Sequence, residues 1–450
     1  MRLVLCLALW LGIPHPGVAV DSRAPRPNLL LIVTDDHGCG DVSAYGAADL
    51  RTPNIDRLGK EGMVFSEMRS NATVCSPARA ALLTGRHPDR VGVPGVIRTH
   101  PEDSWGFFAP GVPTLADELA ASGYHTGLVG KWHLGLESPN TPNERGFHRF
   151  HGFLGDMMDS YTTHLRHGTN YLRLNDLPVE AGGHATELFT AWAINDLRER
   201  AAHPDTPFFL YLAFTAPHFP IEPPTEWLAR VTSRQPDAPP ARAANIALVE
   251  HLDHCIGRVL DSLDELGLTR NTLVVFTADN GGSLPHGQSN APWRDGKQSH
   301  YDGGLRVPFL VRWPGRITPA ASSAYRGQIF DVFPTFLEVA GARPSDPAAL
   351  DAVSLVPCFE GKAMPGGREL YFVRREGGPR YGGRSYEALI RGDWKLLQND
   401  PFQPLELYNL KNDPRETTNL AAKASQVLAE LSKSLARHIQ RGGATPWQRN

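Results

Sequence analysis

Three short, almost uninterrupted apolar runs constrain this chain most: Leu29 to Val33, Phe208 to Phe214 and Leu273 to Phe276. A strand with one wet face alternates apolar and polar residues, so continuous runs fit strands covered on both faces, as in a parallel sheet. Helical stretches at Thr114 to Ser122 and Ala244 to Leu266 fall between them. This predicts an α/β fold whose large domain has a mostly parallel central sheet flanked by helices. Each run ends in polar residues: Thr34-Asp35-Asp36, Ala216-Pro217-His218 and Asp279-Asn280-Gly281. In an open parallel sheet the binding crevice lies outside the carboxyl ends of the strands, so residues far apart in sequence can converge at that edge.

Asp35, Asp36 and Asp279 at adjacent strand ends would repel one another unless a cation or positive side chains lay between them, and Asn280 adds a fourth oxygen. Asp-Asp and Asp-Asn-Gly also read as ordinary turns after a strand. Oxygen donors, without a cysteine or histidine pair at zinc spacing, favour a hard cation such as Ca²⁺ or Mg²⁺ over a transition metal.

A second pattern is Cys75-Ser-Pro-Ala-Arg79, followed by Leu82-Leu83-Thr84-Gly85-Arg86. Proline belongs in the first turn of a helix, where its missing N–H costs nothing, which predicts Ser76 as cap and Pro77 in the first turn. The four-residue spacing puts Arg79 on the helical face of Cys75, and the helix N-terminus adds partial positive charge. The pair describes an oxyanion-handling site. A lone cysteine at a helix start is otherwise a buried apolar residue. A phosphatase-type thiolate loop would separate cysteine and arginine by five residues, but here three intervene and Ala81 occupies the required position. No Cys-x-x-Cys redox pair exists.

Further along, Gly130-Lys-Trp-His-Leu-Gly135 sets Lys131 and His133 two apart. If extended, the segment turns both to one cavity and Trp132 into packing. His218 follows its strand, and Lys297 lies in the segment Pro292 to Pro308. Each alone also fits a solvated loop or a strand-end histidine bonded to backbone.

Taken in order from roughly Pro27 to the C-terminus, Asp-Asp, Cys-x-Pro-x-Arg, Gly-Lys-x-His and Asp-Asn-Gly-Gly resemble the type I, formylglycine-dependent sulfatases of the alkaline phosphatase superfamily. Within that family the likeness is to the arylsulfatase and N-acetylgalactosamine-6-sulfatase type. The resemblance implies a sulfuric ester hydrolase acting on sulfate monoesters, with a sulfated sugar as substrate. It implies Ca²⁺ rather than Mg²⁺, and conversion of Cys75 to Cα-formylglycine by a separate maturation enzyme. Asp35, Asp36, Asp279 and Asn280 would hold the metal, with position 75 completing the coordination. Arg79 and Lys131 would hold the aldehyde hydrate, and His133 would accept a proton during sulfate expulsion. His218 and Lys297 would bind sulfate and assist the leaving oxygen, while Asp279 is also placed to take the attacking hydroxyl's proton.

One hydroxyl of the hydrate attacks sulfur and the second expels sulfate, whereas a plain serine would be trapped as its ester. Some relatives place a serine near the sulfate after a segment like Gly146-Phe-His-Arg-Phe150. Here Asp156 and Ser160 are both offset, which leaves that position unassigned, and His300 is a candidate substrate contact. Two other readings stand: a formylglycine-dependent phosphonate or phosphate ester hydrolase, and a non-catalytic glycan-binding protein should Cys75 stay unconverted.

The chain has 450 residues, 43 glycines and a net charge of -3, which fits one large globular domain with a smaller companion and gives no sign of a nucleic-acid partner. Residues 1–19 read as a signal peptide: Met1-Arg2, an apolar run from Leu3 to Ile13, then small residues at Gly17-Val18-Ala19. That run is too short to span a bilayer, which needs about 20 residues, so export without a stable membrane anchor follows, to a periplasmic, secreted or lysosomal-type compartment.

Residues 20–365 form the expected catalytic domain and 366–450 a C-terminal α+β subdomain. Its strands are expected at Leu370 to Arg374, Tyr386 to Arg391, Trp394 to Leu397 and Leu405 to Tyr408, with a helix at Ala421 to Arg441. Pro217 to Pro240 and Gly377 to Gly383 read as loops at the cavity mouth. Cys6 falls in the signal segment, and with Cys75 converted the remaining Cys39, Cys255 and Cys358 allow at most one disulfide. Asn71-Ala-Thr73 is a glycosylation sequence expected to go unused, because a glycan there would crowd position 75.

Overall fold

The computed structural model describes residues 26–376 and 387–448. The signal segment and the Gly377 to Gly383 loop therefore lie outside the described residues. Ten strands form one sheet in the order Ala321–Ser323, Met63–Phe65, Phe309–Arg312, Thr272–Ala278, Asn28–Thr34, Phe208–Ala213, His125–Lys131, Arg149–Phe153, Leu172–Leu174 and Leu177–Pro178. The five strands from Thr272–Ala278 to Arg149–Phe153 run parallel. Antiparallel neighbours extend the sheet on both sides. The fold is the α/β arrangement of the alkaline phosphatase type.

The three apolar runs are adjacent central strands, with Leu29 beside both Phe209 and Leu273. Their side chains alternate between two cores. Leu29, Leu31 and Val33 pack with Leu82 and Leu83 of the helix Cys75–Thr84, Leu119 of Leu115–Ala121 and Phe336 of Val332–Val339. Leu30 and Ile32 pack on the other side with Phe189 and Leu197 of Ala185–Ala201 and with Leu252 and Ile256 of Pro240–Glu265. Each such fully buried side chain stabilises the fold by about 1.5–3 kcal/mol, so the double cover accounts for continuous apolar runs where an exposed sheet would alternate.

Two central strands lacked that signature. His125–Lys131 and Arg149–Phe153 carry Gly127, Gly130 and Gly152 where neighbours crowd. A Cβ at Gly130, whose φ is +105°, would stand 1.9 Å from the Ala213 carbonyl oxygen, and one at Gly152 would stand 2.0 Å from that of Gly130. The Pro217 to Pro240 stretch is not all loop: it contains the helix Thr225–Arg234.

The smaller sheet orders Glu369–Val373, Glu387–Arg391, Trp394–Gln398 and Glu406–Asn409 as an antiparallel meander. On one face Tyr371, Leu389 and Leu396 pack with Leu431 and Leu435 of the helix Ser425–Gly442, and on the other Leu370, Phe372 and Ile390 pack with Tyr301 and Leu305. Cys39, Cys75, Cys255 and Cys358 are buried free thiols, so the described residues hold no disulfide. Among them no helix is long and apolar enough to cross a membrane.

Candidate active site

The carboxyl ends of the central strands deliver Asp35, Asp36, Asp279 and Asn280 to one fully buried cluster. Asp36 has the left-handed φ of 59°, which costs a non-glycine residue about 1–3 kcal/mol. Neighbouring strand ends hold it there: the Asp36 N–H donates to Asp279 Oδ1 (3.1 Å) and Asn280 Nδ2 donates to Asp36 Oδ1 (2.8 Å).

The helix Cys75–Thr84 meets this cluster end-on, with all ten residues buried. It starts two residues earlier than the proline suggested. Val74 is its cap residue, and Ser76 Oγ instead accepts the Ile97 N–H (3.1 Å). Pro77 falls third in the helix, where an N–H still lacks an intrahelical partner, so the proline is tolerated without Ser76 as cap. The Cys75 thiol points to Asp35 Oδ1 (3.2 Å) and Asp36 Oδ1 (3.9 Å). Arg79, one turn on, donates through Nε to Asp279 Oδ2 (2.9 Å) and through Nη1 to the Lys131 carbonyl (3.2 Å).

Lys131 ends its strand and places Nζ 2.6 Å from Asp35 Oδ2. Trp132 turns into the core and donates to the Asn140 carbonyl (2.8 Å). The strand does not continue to His133, which takes a φ of 63° and reaches the cleft through that kink. His133 Nε2 lies 2.8 Å from the Ile97 carbonyl, an acceptor only, so Nε2 carries the proton and the buried, unpartnered Nδ1 keeps its lone pair. The same logic puts the His218 proton on Nδ1, 2.6 Å from the Phe219 carbonyl, and leaves Nε2 to accept from Lys297 Nζ at 3.1 Å. Lys297 Nζ also reaches Asp36 Oδ2 (2.6 Å) and Cys75 Sγ (3.9 Å).

This crowding sets the protonation states. Burial pushes the Asp35 carboxyl up, but Lys131, His218, Arg79 and Lys297 together hold it well below its usual value. Asp279 is raised by burial and by Asp35. Burial, then Asp35, lifts the Cys75 thiol well above its ordinary range, so an unmodified cysteine here is a poor nucleophile. Burial and Lys297 lower His218 to about 4, while burial, Lys131 and Arg79 depress His133 far below its usual value. Both imidazoles are neutral at pH 7.

Asp35, Asp36, Cys75 and His218 each offer a ligand atom, all within 4.8 Å of one another. Asp279 and Asn280 border them, and Asn280 Oδ1 is a buried acceptor with no donor among the described residues. Three carboxylates and an orphaned amide oxygen fit a hard cation. His218 enters this geometric group although the sequence assigned it to sulfate.

A cleft of about 680 Å³ opens over Cys75, His133, His218 and Lys297. Its walls add residues the sequence reading missed. Arg166 donates to Asp156 Oδ1 (2.9 Å) and Oδ2 (3.1 Å), and Arg98 to Glu376 Oε1 (3.2 Å). Arg98 lies on a loop and Arg166 in the short strand Leu165–Arg166, far apart in the chain, and no local pattern marks them. His300 is not a cleft residue. After Ser299 the chain dives under the small sheet, where the His300 N–H meets Asn399 Oδ1 (2.7 Å) and its ring is fully buried. Asn71 and Thr73 are also fully buried, and Asn71 Oδ1 accepts the Phe330 N–H (3.1 Å), which leaves no room for a glycan in the folded protein.

A parallel sheet presenting acidic strand ends, a helix N-terminus and several cations to one cleft defines a hydrolase of anionic esters. The family description "Sulfatase" matches residues 27–342, and "N-sulphoglucosamine sulphohydrolase, C-terminal" matches 291–441. The chain belongs to the sulfatase family and is a sulfatase enzyme. Human N-acetylgalactosamine-6-sulfatase is 32% identical over 381 residues, covering 80% of this chain and 70% of that protein. Human arylsulfatase A is 32% identical over 480 residues, covering 96% and 89%. The crystal structure of Ps i-CgsB in complex with k-i-k-neocarrahexaose superposes with a TM-score of 0.85 at 29% identity, covering 94% of this chain and 95% of that one.

Proposed function

We propose that this sulfatase cleaves sulfate monoesters of carbohydrates, with Cys75 converted to formylglycine by a separate maturation enzyme and Ca²⁺ held by Asp35, Asp36, Asp279 and Asn280. The observation that carries the reading is the setting of Cys75. It lies on a buried helix start, 3.2 Å from Asp35 and 3.9 Å from Lys297, at the floor of the cleft. When bound, the cation draws charge from the sulfate oxygens and lowers the pKa of a hydroxyl at position 75. As an aldehyde hydrate, position 75 offers one hydroxyl to sulfur and a second to release sulfate.

The surrounding residues divide the remaining work. Arg79, fixed by Asp279 and the Lys131 carbonyl, orients the hydrate together with Lys131. His133 Nδ1, the free lone pair near position 75, accepts a proton as sulfate departs. Lys297 Nζ and His218 Nε2 share a proton across 3.1 Å and pass it to the leaving alcohol oxygen, whose developing charge the lysine also stabilises. The name of the N-acetylgalactosamine-6-sulfatase relative and the oligosaccharide in the Ps i-CgsB complex support a sugar substrate. The N-terminal apolar segment supports export.

Peptide mass spectrometry across Cys75, on protein made with a maturation enzyme, tests the nucleophile. The expected result is a loss of about 18 Da, thiol to aldehyde. Active protein carrying an unmodified thiol overturns the mechanism. Faster turnover of an aryl phosphonate than of the matching aryl sulfate would move the chain to the phosphonate reading.

A further inference from the structure

Outside the catalytic cleft, three metal-binding side chains converge where two helices pack. His251 and Cys255 stand four residues apart on the helix Pro240–Glu265, and Glu187 lies in the first turn of Ala185–Ala201. The four-residue spacing puts the imidazole and the thiol on one helical face. His251 Nε2 lies 2.9 Å from Glu187 Oε1 and 3.7 Å from Cys255 Sγ, and the three donor atoms all fall within 4.8 Å of one another. A tetrahedral Zn²⁺ with bonds of about 2.0–2.3 Å holds neighbouring donors about 3.3–3.6 Å apart, so small side-chain shifts would close these three around one ion.

The neighbours set the chemistry of the site. Arg258 pairs with Glu187 Oε2, which leaves Oε1 turned to the imidazole, fixes the carboxylate and offsets its charge. The anion left to meet a cation is then the thiolate of Cys255, a free cysteine. His184 meets the His251 ring edge-on at 4.8 Å, but it is not a donor: its Nε2 is held by the Glu222 carbonyl (3.0 Å) and its Nδ1 accepts the Thr186 N–H (3.3 Å). Trp227, with its ring 5.7 Å from that of His251, covers another side. His251 and Cys255 are buried, whereas Glu187 is half-buried, so an ion and a water can enter past the carboxylate.

We propose that Glu187, His251 and Cys255 bind one Zn²⁺, with water as fourth ligand, and that the ion ties the two helices together. Thiolate, imidazole and a single carboxylate oxygen suit Zn²⁺, whereas Ca²⁺ and Mg²⁺ prefer the oxygen cluster at the strand ends. On binding, bonds form from Sγ, Nε2 and Oε1, and the Cys255 proton passes to solvent. The imidazole proton moves from Nε2 to Nδ1, which is buried without a partner among the described residues, so no hydrogen bond breaks there. The site stands apart from the catalytic reading and does not depend on it.

Cobalt(II) is the probe, because a thiolate–cobalt bond gives a near-ultraviolet charge-transfer band. The titration uses the full chain carrying Cys75→Ala, which removes the cleft thiol and any dependence on maturation, with Ca²⁺ in excess to fill the strand-end cluster. One equivalent of cobalt should bind with the thiolate band and be displaced by Zn²⁺. The band should vanish in Cys255→Ser and persist in Cys358→Ser, and Glu187→Gln should raise the dissociation constant by about tenfold or more. Cobalt bound without the band marks the oxygen cluster alone and overturns the site, as does a band that survives Cys255→Ser. Should Cys255→Ser fail to fold, Glu187→Gln decides, and an unchanged dissociation constant there overturns the site as well. Zn²⁺ should raise the melting temperature of the Cys75→Ala chain. A melting temperature that Zn²⁺ leaves unchanged overturns the tie between the helices.

Discussion

Two buried charge networks in this protein are built to opposite ends. Asp302 itself is fully paired: its carboxylate accepts from Arg69 Nε (3.1 Å), Arg306 Nε (2.8 Å) and Lys395 Nζ (2.8 Å), and Lys395 also forms an ion pair with Glu416 Oε1 (2.7 Å). That network joins the large sheet to the small one, and each of its charges stands in an ion pair. Around Asp35, Asp36 and Asp279 the carboxylates crowd one another, Asn280 Oδ1 and His133 Nδ1 have no partner, and the cluster opens to a cleft. A saturated buried network supports structure, whereas one with spare valences is poised for a ligand.

The sharpest way to break this contrast is to remove one carboxylate from each side. Asp302→Ala leaves three buried cations around a missing anion and should cost about 3–5 kcal/mol of stability in denaturant unfolding. Asp279→Asn should cost less stability, since it relieves a carboxylate already raised by burial and by Asp35, yet lower aryl sulfate turnover by about 10²–10³. Equal stability losses would erase the distinction.

Chelation comes next. Stripping divalent ions with EGTA should lower the melting temperature and abolish turnover, and Ca²⁺ should restore both. An ion at 100 times its dissociation constant contributes about 2.7 kcal/mol. A chelator with no effect on either readout would mean that the oxygen cluster holds no ion. His218→Ala should slow alkyl sulfate esters more than aryl sulfates, by about 10²-fold or more for the poorer leaving group, and kcat measured on both would show it. An equal loss on both would assign His218 to sulfate binding alone.

The smallest effect concerns the seam between the sheets. His87 meets Tyr371 and His438 edge-on, and burial lowers it to about 3 from an ordinary 6.5. The unfolded chain therefore takes up a proton below about pH 6.5 that the folded protein refuses until about pH 3. Stability should fall as pH drops through that window, and His87→Gln should flatten the slope in pH-dependent melting.

How much of this was legible in advance follows from where the information sits. The three central strands announced themselves because both faces are covered. His125–Lys131 and Arg149–Phe153 did not, because close backbone approach at Gly130 and Gly152 replaced apolar bulk. The helix Ala185–Ala201 escaped notice because its buried residues include Thr186, Thr190 and Asp196 as well as Phe189 and Leu197, which blurs any stripe. The start of Cys75–Thr84 was displaced by two residues, since proline marks a first turn without fixing which position in it. At the site, residues at strand ends were readable from local pattern. Arg98 and Arg166 were not, because a loop and a two-residue strand from separate parts of the chain bring them to the cleft.

The buried Asn71-Ala-Thr73 segment has a practical consequence for producing the protein. In a eukaryotic secretory host, oligosaccharide transfer competes with folding, and a chain that acquires a glycan at Asn71 can no longer seat that side chain against the Phe330 N–H. Some of the yield would then be lost to quality control before any enzyme is assayed. Thr73 Oγ1 is buried without a hydrogen bond, so the near-isosteric Thr73→Val removes the acceptor sequence at little cost and frees the choice of expression host.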